Sequence, residues 1–335
     1  FSVNVNPLGM PDGVEEALHE AVSSVQEYPD MEALALKESL AEKLAVPEEK
    51  LLFGNGASEL LMAVVHALHP TKIMIPSPSF YGYQHAAKAA GSKVIPLMLK
   101  EENGFLLTEE LFTVLEQERP GLLILANPNN PTGSYVKASE REAIVRLCHD
   151  HEVAIIADEV FYDYDLEPFD GNARLAGETG TLTFALDGFS KTLASPHAKV
   201  GWIQVSGPAA EVDEAKRRLD VVADDYLPMS EIIAKQIPAM LGAAAAQTAR
   251  VRERVQTNLA ALHTMLDDDE QGMVSVLRAE GGWNVLLRVP SVLDENELVL
   301  SMIEKHGISG QPGYFFDMTS NGYLAISLLP EPDEF

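Results

Sequence analysis

Two lysines and a serine lie close together in the segment GFSKTLASPHAKVGW of a chain that is short of cations. Ser190 and Lys191 follow one apolar run, and Lys199 lies just before the next. A lysine that is partly desolvated at a strand end has a lowered pKa and can form a Schiff base with a carbonyl group. The pattern therefore makes Lys191 a candidate nucleophile with a second cation nearby.

A carboxylate follows another apolar run, because Asp158 comes directly after EVAIIA at 152–157. Burying a carboxylate at such a position is unfavourable unless it meets a cation. We therefore expect Asp158 to face a positively charged partner in a cleft.

The segment GNGASE joins a short apolar run to a helical pattern. Gly54 and Gly56 permit a tight turn, and the amides of Ala57 and Ser58 would open the helix. A helix N-terminus with free N–H groups and a hydroxyl binds anions. A plain strand-to-helix turn would give the same pattern, and Glu59 stands where a dinucleotide-binding fingerprint needs its third glycine.

Aromatic and amide side chains follow two further runs. PSPSFYGY places Phe80 and Tyr83 after the run 72–75, where they would either stack on a planar ring or pack in the core. NPNNPTG follows the run 121–126, and its side-chain amides can donate hydrogen bonds while its prolines hold them in place.

Together these groups describe one ligand. They offer an anion site at the helix N-terminus with Ser190 and Lys199, a flat surface at Phe80, a carboxylate at Asp158 and an amine at Lys191. Pyridoxal phosphate has the matching phosphate, ring, protonated ring nitrogen and aldehyde.

The elements that must position these residues alternate along the first two thirds of the chain. The predicted strands are 51–53, 72–75, 93–99, 121–126, 152–157, 181–186 and 200–205, and the predicted helices are 57–69, 79–90, 108–117 and 138–150. The runs are continuously apolar, as in parallel strands buried on both faces, and ligands bind such sheets at the carboxyl ends of the strands. Ser139 and Glu142 are expected to form a capping box at the start of the last helix.

Beyond the alternating part, the pattern is long helix from about 208 to 265 and then strand–helix–strand. We predict an α/β fold whose large domain, 28–235, has a mostly parallel seven-stranded sheet flanked by helices. A smaller α+β domain would comprise 236–335 with the N-terminal segment 1–27.

Composition limits the partners. The formal net charge of −27 over 335 residues disfavours nucleic acid and anionic membranes, and no apolar run approaches the about 20 residues of a membrane span. The single Cys148, expected to be a buried thiol, fits a reducing compartment, and the first residues carry no secretory pattern. His149 and His151 lack metal-ligand spacing, so we predict a cytoplasmic protein without a metal, nucleic-acid or membrane partner.

The sequence resembles the fold-type I pyridoxal phosphate enzymes, class I and II aminotransferases, over nearly its whole length. YPD, GNGASE, NPNNPTG, DEVFYDY and SK…KVGW occur in the family's order and at about its spacing. Within the family the sequence is most similar to histidinol-phosphate aminotransferases and threonine-phosphate decarboxylases, and FSVNVNPLG resembles the start of the latter.

The resemblance implies a role for each matching residue. Lys191 would carry the cofactor as a Schiff base and then move the α-proton, and Asp158 would keep the ring nitrogen protonated. Asn130 would donate to the phenolic oxygen, and Phe80 would stack on the ring. The phosphate would be held by Ala57, Ser58, Ser190 and Lys199.

The resemblance also implies a homodimer with shared active sites. Tyr28 of YPD would reach the partner subunit's phosphate, and Asn6 on the N-terminal segment would contact substrate. The implied activity is amino transfer from an amino acid to a 2-oxo acid, with a decarboxylase or lyase of the threonine-phosphate decarboxylase type as the alternative. A non-enzymatic effector-binding module is a third possibility, which the retained Lys191 disfavours.

Three positions depart from the family pattern. Lys199 and Phe161 stand where arginine and tyrosine are usual, and Tyr162 lies beside the latter. Ala325 stands where the family places an arginine for the substrate carboxylate. We expect either that another basic residue enters the cleft or that the substrate presents little carboxylate there.

Overall fold

The computed structural model describes residues 1–335 except 3, 5, 6, 27, 31, 32, 168, 170, 227 and 268–271. The helices are α1 Val14–Ala21, α2 Leu34–Leu44, α3 Ala57–Leu68, α4 Gly82–Ala89, α5 Glu109–Glu118, α6 Ala138–Asp150, α7 Phe189–Thr192, α8 Ala209–Tyr226, α9 Glu231–Ala234, α10 Ile237–Asp267 and α11 Glu295–His306. The strands are β1 Leu51–Gly54, β2 Lys72–Ser77, β3 Lys93–Met98, β4 Leu122–Ala126, β5 Ala154–Asp158, β6 Thr183–Gly188, β7 Gly201–Ser206, β8 Ser275–Val276, β9 Asn284–Arg288, β10 Gln311–Pro312 and β11 Tyr323–Ser327.

A seven-stranded sheet has the order β1-β7-β6-β5-β4-β2-β3. The pairs β2–β3, β2–β4, β4–β5 and β5–β6 are parallel, whereas β7 is antiparallel to both of its neighbours. The sheet confirms the predicted fold class, and the carboxyl ends of its parallel strands meet at one edge.

Alternate residues of the central strands face two separate cores. Leu122 and Ile124 of β4 pack with α3, α4 and α8, while Leu123 and Leu125 pack with α5 and α6. Burial on both faces explains why these strands read as continuous apolar runs. Cys148 of α6 is fully buried in the second of these cores, as expected.

The start of α6 differs from the expectation. The helix begins at Ala138, and the carboxylate of Glu140 accepts a hydrogen bond from the backbone N–H of Lys137 at 2.7 Å. The predicted capping box of Ser139 and Glu142 is wrong because Ser139 already lies within the first helical turn.

A second, antiparallel sheet has the order β10-β11-β9-β8. One of its faces packs on α10, and the strand–helix–strand order of β9, α11 and β11 is the one the sequence predicts. The expected long helix is instead divided into α8, α9 and α10, and the predicted domain boundary at 235 lies in the break between α9 and α10. The domain bounds themselves stay a prediction.

Candidate active site

A cleft of about 370 Å³ opens at the carboxyl ends of the parallel strands. It brings together the predicted residues Ala57, Ser58, Phe80, Asn130, Asp158, Ser190, Lys191 and Lys199. Tyr28, expected to serve a partner subunit, is 77% exposed and is not among the described residues that line the cleft. Asn6 lies outside the described residues.

Lys191 lies on α7, directly after β6, where the chain leaves the sheet. Burial lowers the pKa of Lys191 to about 8, and the negative charge of Asp158 partly opposes this shift. The amine Nζ lies 4.7 Å from the ring centroid of Trp283 and 5.0 Å from that of Phe161. A lowered pKa increases the fraction of neutral amine, which is the nucleophilic form.

Asp158 ends β5 and is held by Tyr83. The Tyr83 hydroxyl donates to Asp158 Oδ2 at 2.8 Å, and the Val160 backbone N–H donates to Oδ1 at 3.3 Å. Burial raises the pKa of Asp158, while the bond from Tyr83 and the charge of Lys191 oppose the rise. A cationic group in the cleft would therefore stabilise the carboxylate further.

The role of Tyr83 was not predicted from the sequence. Its ring was expected to stack on a ligand or to pack, and it does pack against Phe80 with ring centroids 5.5 Å apart. Burial and the neighbouring carboxylate of Asp158 hold the pKa of Tyr83 well above its usual value. The Tyr83 hydroxyl therefore stays protonated and donates to Asp158. Phe80, which packs against Tyr83, lines the cleft.

The start of α3 has the geometry expected of an anion site. A Cβ on Gly56 would lie 3.5 Å from Lys199 Nζ, so the amine approaches the helix N-terminus closely. A Cβ on Gly201 would lie 2.5 Å from the backbone N of Ala57, so β7 can pass beneath this turn only with glycine there. Among the residues that the structure describes, no carboxylate pairs with Lys199. A helix N-terminus beside an uncompensated lysine attracts phosphate.

Lys199 has φ 52°, in the left-handed region that favours glycine. Such backbone conformations concentrate at functional sites, because surrounding structure must hold them in place. Lys199 is two residues before the start of β7, and its side chain lines the cleft.

The residues present fit pyridoxal phosphate. The α3 N-terminus with Lys199 matches the phosphate, the buried carboxylate of Asp158 matches a protonated ring nitrogen, and the Lys191 amine matches the aldehyde.

The opposite wall of the cleft carries neutral polar groups from the second sheet. Asn284 of β9 donates through Nδ2 to Asn130 Oδ1 at 3.3 Å, and Gln311 of β10 lies on the same wall. The Oδ1 atoms of Asn4 and Asn284 are buried without a hydrogen-bond partner in the described part of the chain. The sequence analysis missed Asn284 and Gln311, because no local motif marks residues that reach the cleft from a separate sheet.

Phe161 lines the cleft, whereas Tyr162 does not replace the missing tyrosine. The Tyr162 ring lies against the guanidinium of Arg174, 3.9 Å from ring centroid to Cζ, and its carbonyl accepts a hydrogen bond from Tyr135 at 2.8 Å. Tyr162 is absent from the described residues that line the cleft.

Ala325 is a core residue on β11. It is 1% exposed, pairs with Leu286 and Gln311, and packs with Phe105 and Phe316. Lys191 and Lys199 are the basic side chains among the described lining residues, so no third cation from this part of the chain replaces the arginine.

Among the described residues, no cluster of histidine, cysteine, aspartate and glutamate could hold a metal ion. Within the same ranges, each helix is too short or too polar to cross a membrane.

Comparison with known proteins agrees with this geometry. The model of the family described as aminotransferase class I and II matches residues 1–333. This family and its relatives depend on pyridoxal phosphate.

Curated relatives include two kinds of enzyme. The threonine-phosphate decarboxylase of Salmonella typhimurium (strain LT2) is 33% identical over 212 residues, which are 63% of this chain and 57% of that protein. The histidinol-phosphate aminotransferase of Bacillus subtilis (strain 168) is 30% identical over 202 residues, 59% of this chain and 55% of that protein. In such alignments the chain spans about half the length of the curated relatives it matches.

Solved structures share the fold at low identity. The histidinol-phosphate aminotransferase from Clostridium acetobutylicum has a TM-score of 0.83 at 19% identity, over 99% of this chain and 94% of that chain. The aromatic aminotransferase from Pyrococcus horikoshii has a TM-score of 0.84 at 19% identity, over 99% and 91%.

Proposed function

Because the chain belongs to the class I and II aminotransferase family, we propose that it is a pyridoxal phosphate-dependent aminotransferase that moves an amino group from an amino acid to a 2-oxo acid. One observation carries the proposal. Lys191 lines a cleft at the carboxyl ends of the parallel strands, and burial lowers its pKa to about 8 beside the carboxylate of Asp158.

Pyridoxal phosphate, when bound, supplies an aldehyde for amines and a protonated ring that withdraws electrons from the substrate's α-carbon. The α3 N-terminus with Ser58, Ser190 and Lys199 would hold its phosphate. Asp158, fixed by Tyr83, would keep the ring nitrogen protonated. Lys191 Nζ would bind the cofactor and then carry a proton to and from the α-carbon, a task for which an amine pKa near the working pH is suited.

A decarboxylase or lyase of the threonine-phosphate decarboxylase type is the second candidate. The buried Ala325 favours it, since the family's carboxylate-binding arginine is missing, and so does the likeness to the Salmonella enzyme. Both reactions use the same residues around the cofactor, so the cofactor site does not separate them.

One substrate screen tests the choice. Amino acids and their phosphate esters are supplied with and without a 2-oxo acid, and amino transfer and carbon dioxide are measured separately. Turnover that requires the 2-oxo acid supports the aminotransferase. Carbon dioxide release without a 2-oxo acid supports the decarboxylase and overturns the first proposal.

We further propose a cytoplasmic homodimer with shared sites. Exposed apolar side chains occur in several parts of the described chain, and those in its N-terminal part are Met10, Val22, Val25, Tyr28 and Leu34. A second copy would cover this surface, and Tyr28 would then reach the neighbouring phosphate site. Burial raises the pKa of the Cys148 thiol to about 12, so the single cysteine is unreactive, as suits a reducing compartment.

Complementation tests the shared site. In mixtures of Tyr28→Phe and Lys191→Ala chains, hybrid dimers should have one site unaltered at both positions and one site with both lesions. Recovery of near-wild-type cofactor affinity in about half of the hybrid sites agrees with sharing. If the cofactor affinity of each site depends on Tyr28 of the chain that supplies its Lys191, the shared-site proposal is contradicted.

A further inference from the structure

Asn284 joins the second sheet to the loop that carries Asn130. It is the first residue of β9, is 7% exposed and lines the cleft together with Asn130. Its Nδ2 donates to Asn130 Oδ1 at 3.3 Å, across 154 positions of sequence.

The segment that precedes Asn284 is hydrogen-bonded to the segment that follows Asn130. The backbone N–H groups of Glu280 and Gly281 donate to the carbonyl oxygen of Gly133 at 3.1 and 2.9 Å. The Glu280 carboxylate accepts from the backbone N–H of Tyr135 at 3.1 Å and pairs with the Lys137 amine. These contacts lock the two loops together at both the backbone and the side-chain level.

The hydrogen bond sets the polarity that Asn130 presents to the cleft. A side-chain amide has one accepting oxygen and one donating nitrogen. Since Asn284 occupies Asn130 Oδ1, Asn130 Nδ2 is the group left for a ligand, and it has no other partner in the described part of the chain.

Packing alone does not explain an asparagine at position 284. Its Oδ1 is buried without a partner among the described residues, and an unpaired buried acceptor destabilises a folded protein. The donor group of the same side chain makes one hydrogen bond, and that bond goes to Asn130.

We propose that Asn284 is a positioning residue that orients Asn130 so that Asn130 donates, rather than accepts, toward the phenolic oxygen of pyridoxal phosphate. This inference rests on the proposed cofactor. Asn284 itself takes no part in a chemical step.

Asn284→Asp tests the proposal with little change in size. A carboxylate cannot donate, so it accepts from Asn130 Nδ2 and turns the Asn130 amide around, which presents Oδ1 to the phenolic oxygen. The dissociation constant of pyridoxal phosphate should rise about tenfold. The pH midpoint of the bound cofactor's absorbance change should move upward, because the donor that stabilises the ionised phenolic oxygen is lost.

A double-mutant cycle separates positioning from a direct effect. Asn284→Leu removes the donor without adding charge, and Asn130→Ala removes its target. The double variant should bind pyridoxal phosphate as weakly as Asn130→Ala alone. Asn321→Asp is the matched control, since Asn321 lies just before β11 of the same sheet, outside the cleft lining, and likewise donates through its side-chain amide, to the Ser291 carbonyl at 2.9 Å. It should leave both readouts unchanged.

The outcomes are distinguishable. A wild-type chain that does not bind pyridoxal phosphate overturns the proposed function. A wild-type chain that binds it, with Asn284→Asp and Asn284→Leu unchanged in affinity and midpoint or with additive effects in the cycle, overturns only the positioning role. Thermal denaturation of each variant identifies any loss of affinity that comes from unfolding.

Discussion

The two walls of the cleft differ in chemistry and in origin. The wall from the large sheet carries charges, namely Asp158, Lys191 and Lys199, each at a strand end or just before a strand. The wall from the second sheet carries the neutral amides of Asn284 and Gln311. Charged groups at strand ends can bind the charged parts of a cofactor directly, whereas the second sheet reaches the same cleft through a neutral contact, the hydrogen bond from Asn284 to Asn130.

The largest expected effect follows from removing the charge of Asp158. Asp158→Asn should lower the rate of the proposed reaction by roughly 10²–10⁴-fold, because the ring nitrogen would lose its counter-charge. The Asp158 charge raises the pKa of Lys191 in the wild type, so its removal should move the Lys191 pKa from about 8 to a lower value.

The pH dependence of cofactor attachment measures that shift. The neutral amine reacts, so attachment of pyridoxal phosphate to the cofactor-free wild type should accelerate as pH rises through about 8. In Asp158→Asn the acceleration should occur at lower pH. Gln311→Glu instead adds a negative charge to the wall from the second sheet. If this variant raised the Lys191 pKa by as much as Asp158→Asn lowers it, the two walls would not differ in their influence on the amine.

A smaller effect is expected from crowding the anion site. Gly201→Ala would place a Cβ 2.5 Å from the Ala57 backbone N, so β7 or the start of α3 must move. The free energy of unfolding should fall by about 1–3 kcal/mol, with weaker phosphate binding.

Chemical denaturation with and without phosphate checks this effect. Gly242→Ala is the control, since a Cβ at this position in α10 meets open space and should stabilise the helix by about 0.5–1 kcal/mol. Gly201→Ala with wild-type stability would mean that the close approach of β7 to α3 is not required.

A further effect depends on pH and concerns the buried carboxyl group of Asp187, which precedes the cleft-lining Gly188. Asp187 Oδ1 accepts from the Gly188 N–H at 2.6 Å and from Thr192 Oγ1 at 3.2 Å. Burial raises the pKa of Asp187 to about 7 from 3.8, although these bonds and the charge of Arg174 oppose the rise. The folded state therefore holds a proton that the unfolded state has released, and this contribution to stability is lost as pH rises from about 4 to about 7.

Asp187→Asn keeps the accepting oxygen and removes the titration. It should be more stable than the wild type by up to about 4 kcal/mol at pH 8, since each unit of pKa shift corresponds to about 1.4 kcal/mol, and the difference should shrink toward pH 4. Unfolding curves at both pH values test the sign. A difference that grows as pH falls would contradict the assigned pKa.

The charged wall of the cleft was largely predictable from the sequence, since Lys191 and Asp158 each follow an apolar run and the fold brings such strand ends to one edge. The contribution of Asn284 was not predictable, because Asn284 of the second sheet contacts Asn130, on the loop after β4, only when the chain is folded. The bond from Tyr83 to Asp158 also escaped prediction, since a tyrosine at a sheet edge reads equally well as packing. The capping-box prediction failed for a local reason, because a shift of two residues at the start of α6 made Glu140 the capping carboxylate.

The most direct measurement of the central claim is reduction of the protein with borohydride after incubation with pyridoxal phosphate, followed by peptide mass spectrometry. The account predicts a protein that is yellow before reduction and loses this colour on reduction, with the reduced adduct on Lys191. The adduct should be absent in Lys191→Ala and intact in Lys305→Ala, a change at an exposed residue of α11. A protein that stays colourless with pyridoxal phosphate before reduction, or an adduct spread over surface lysines with none on Lys191, would contradict the account.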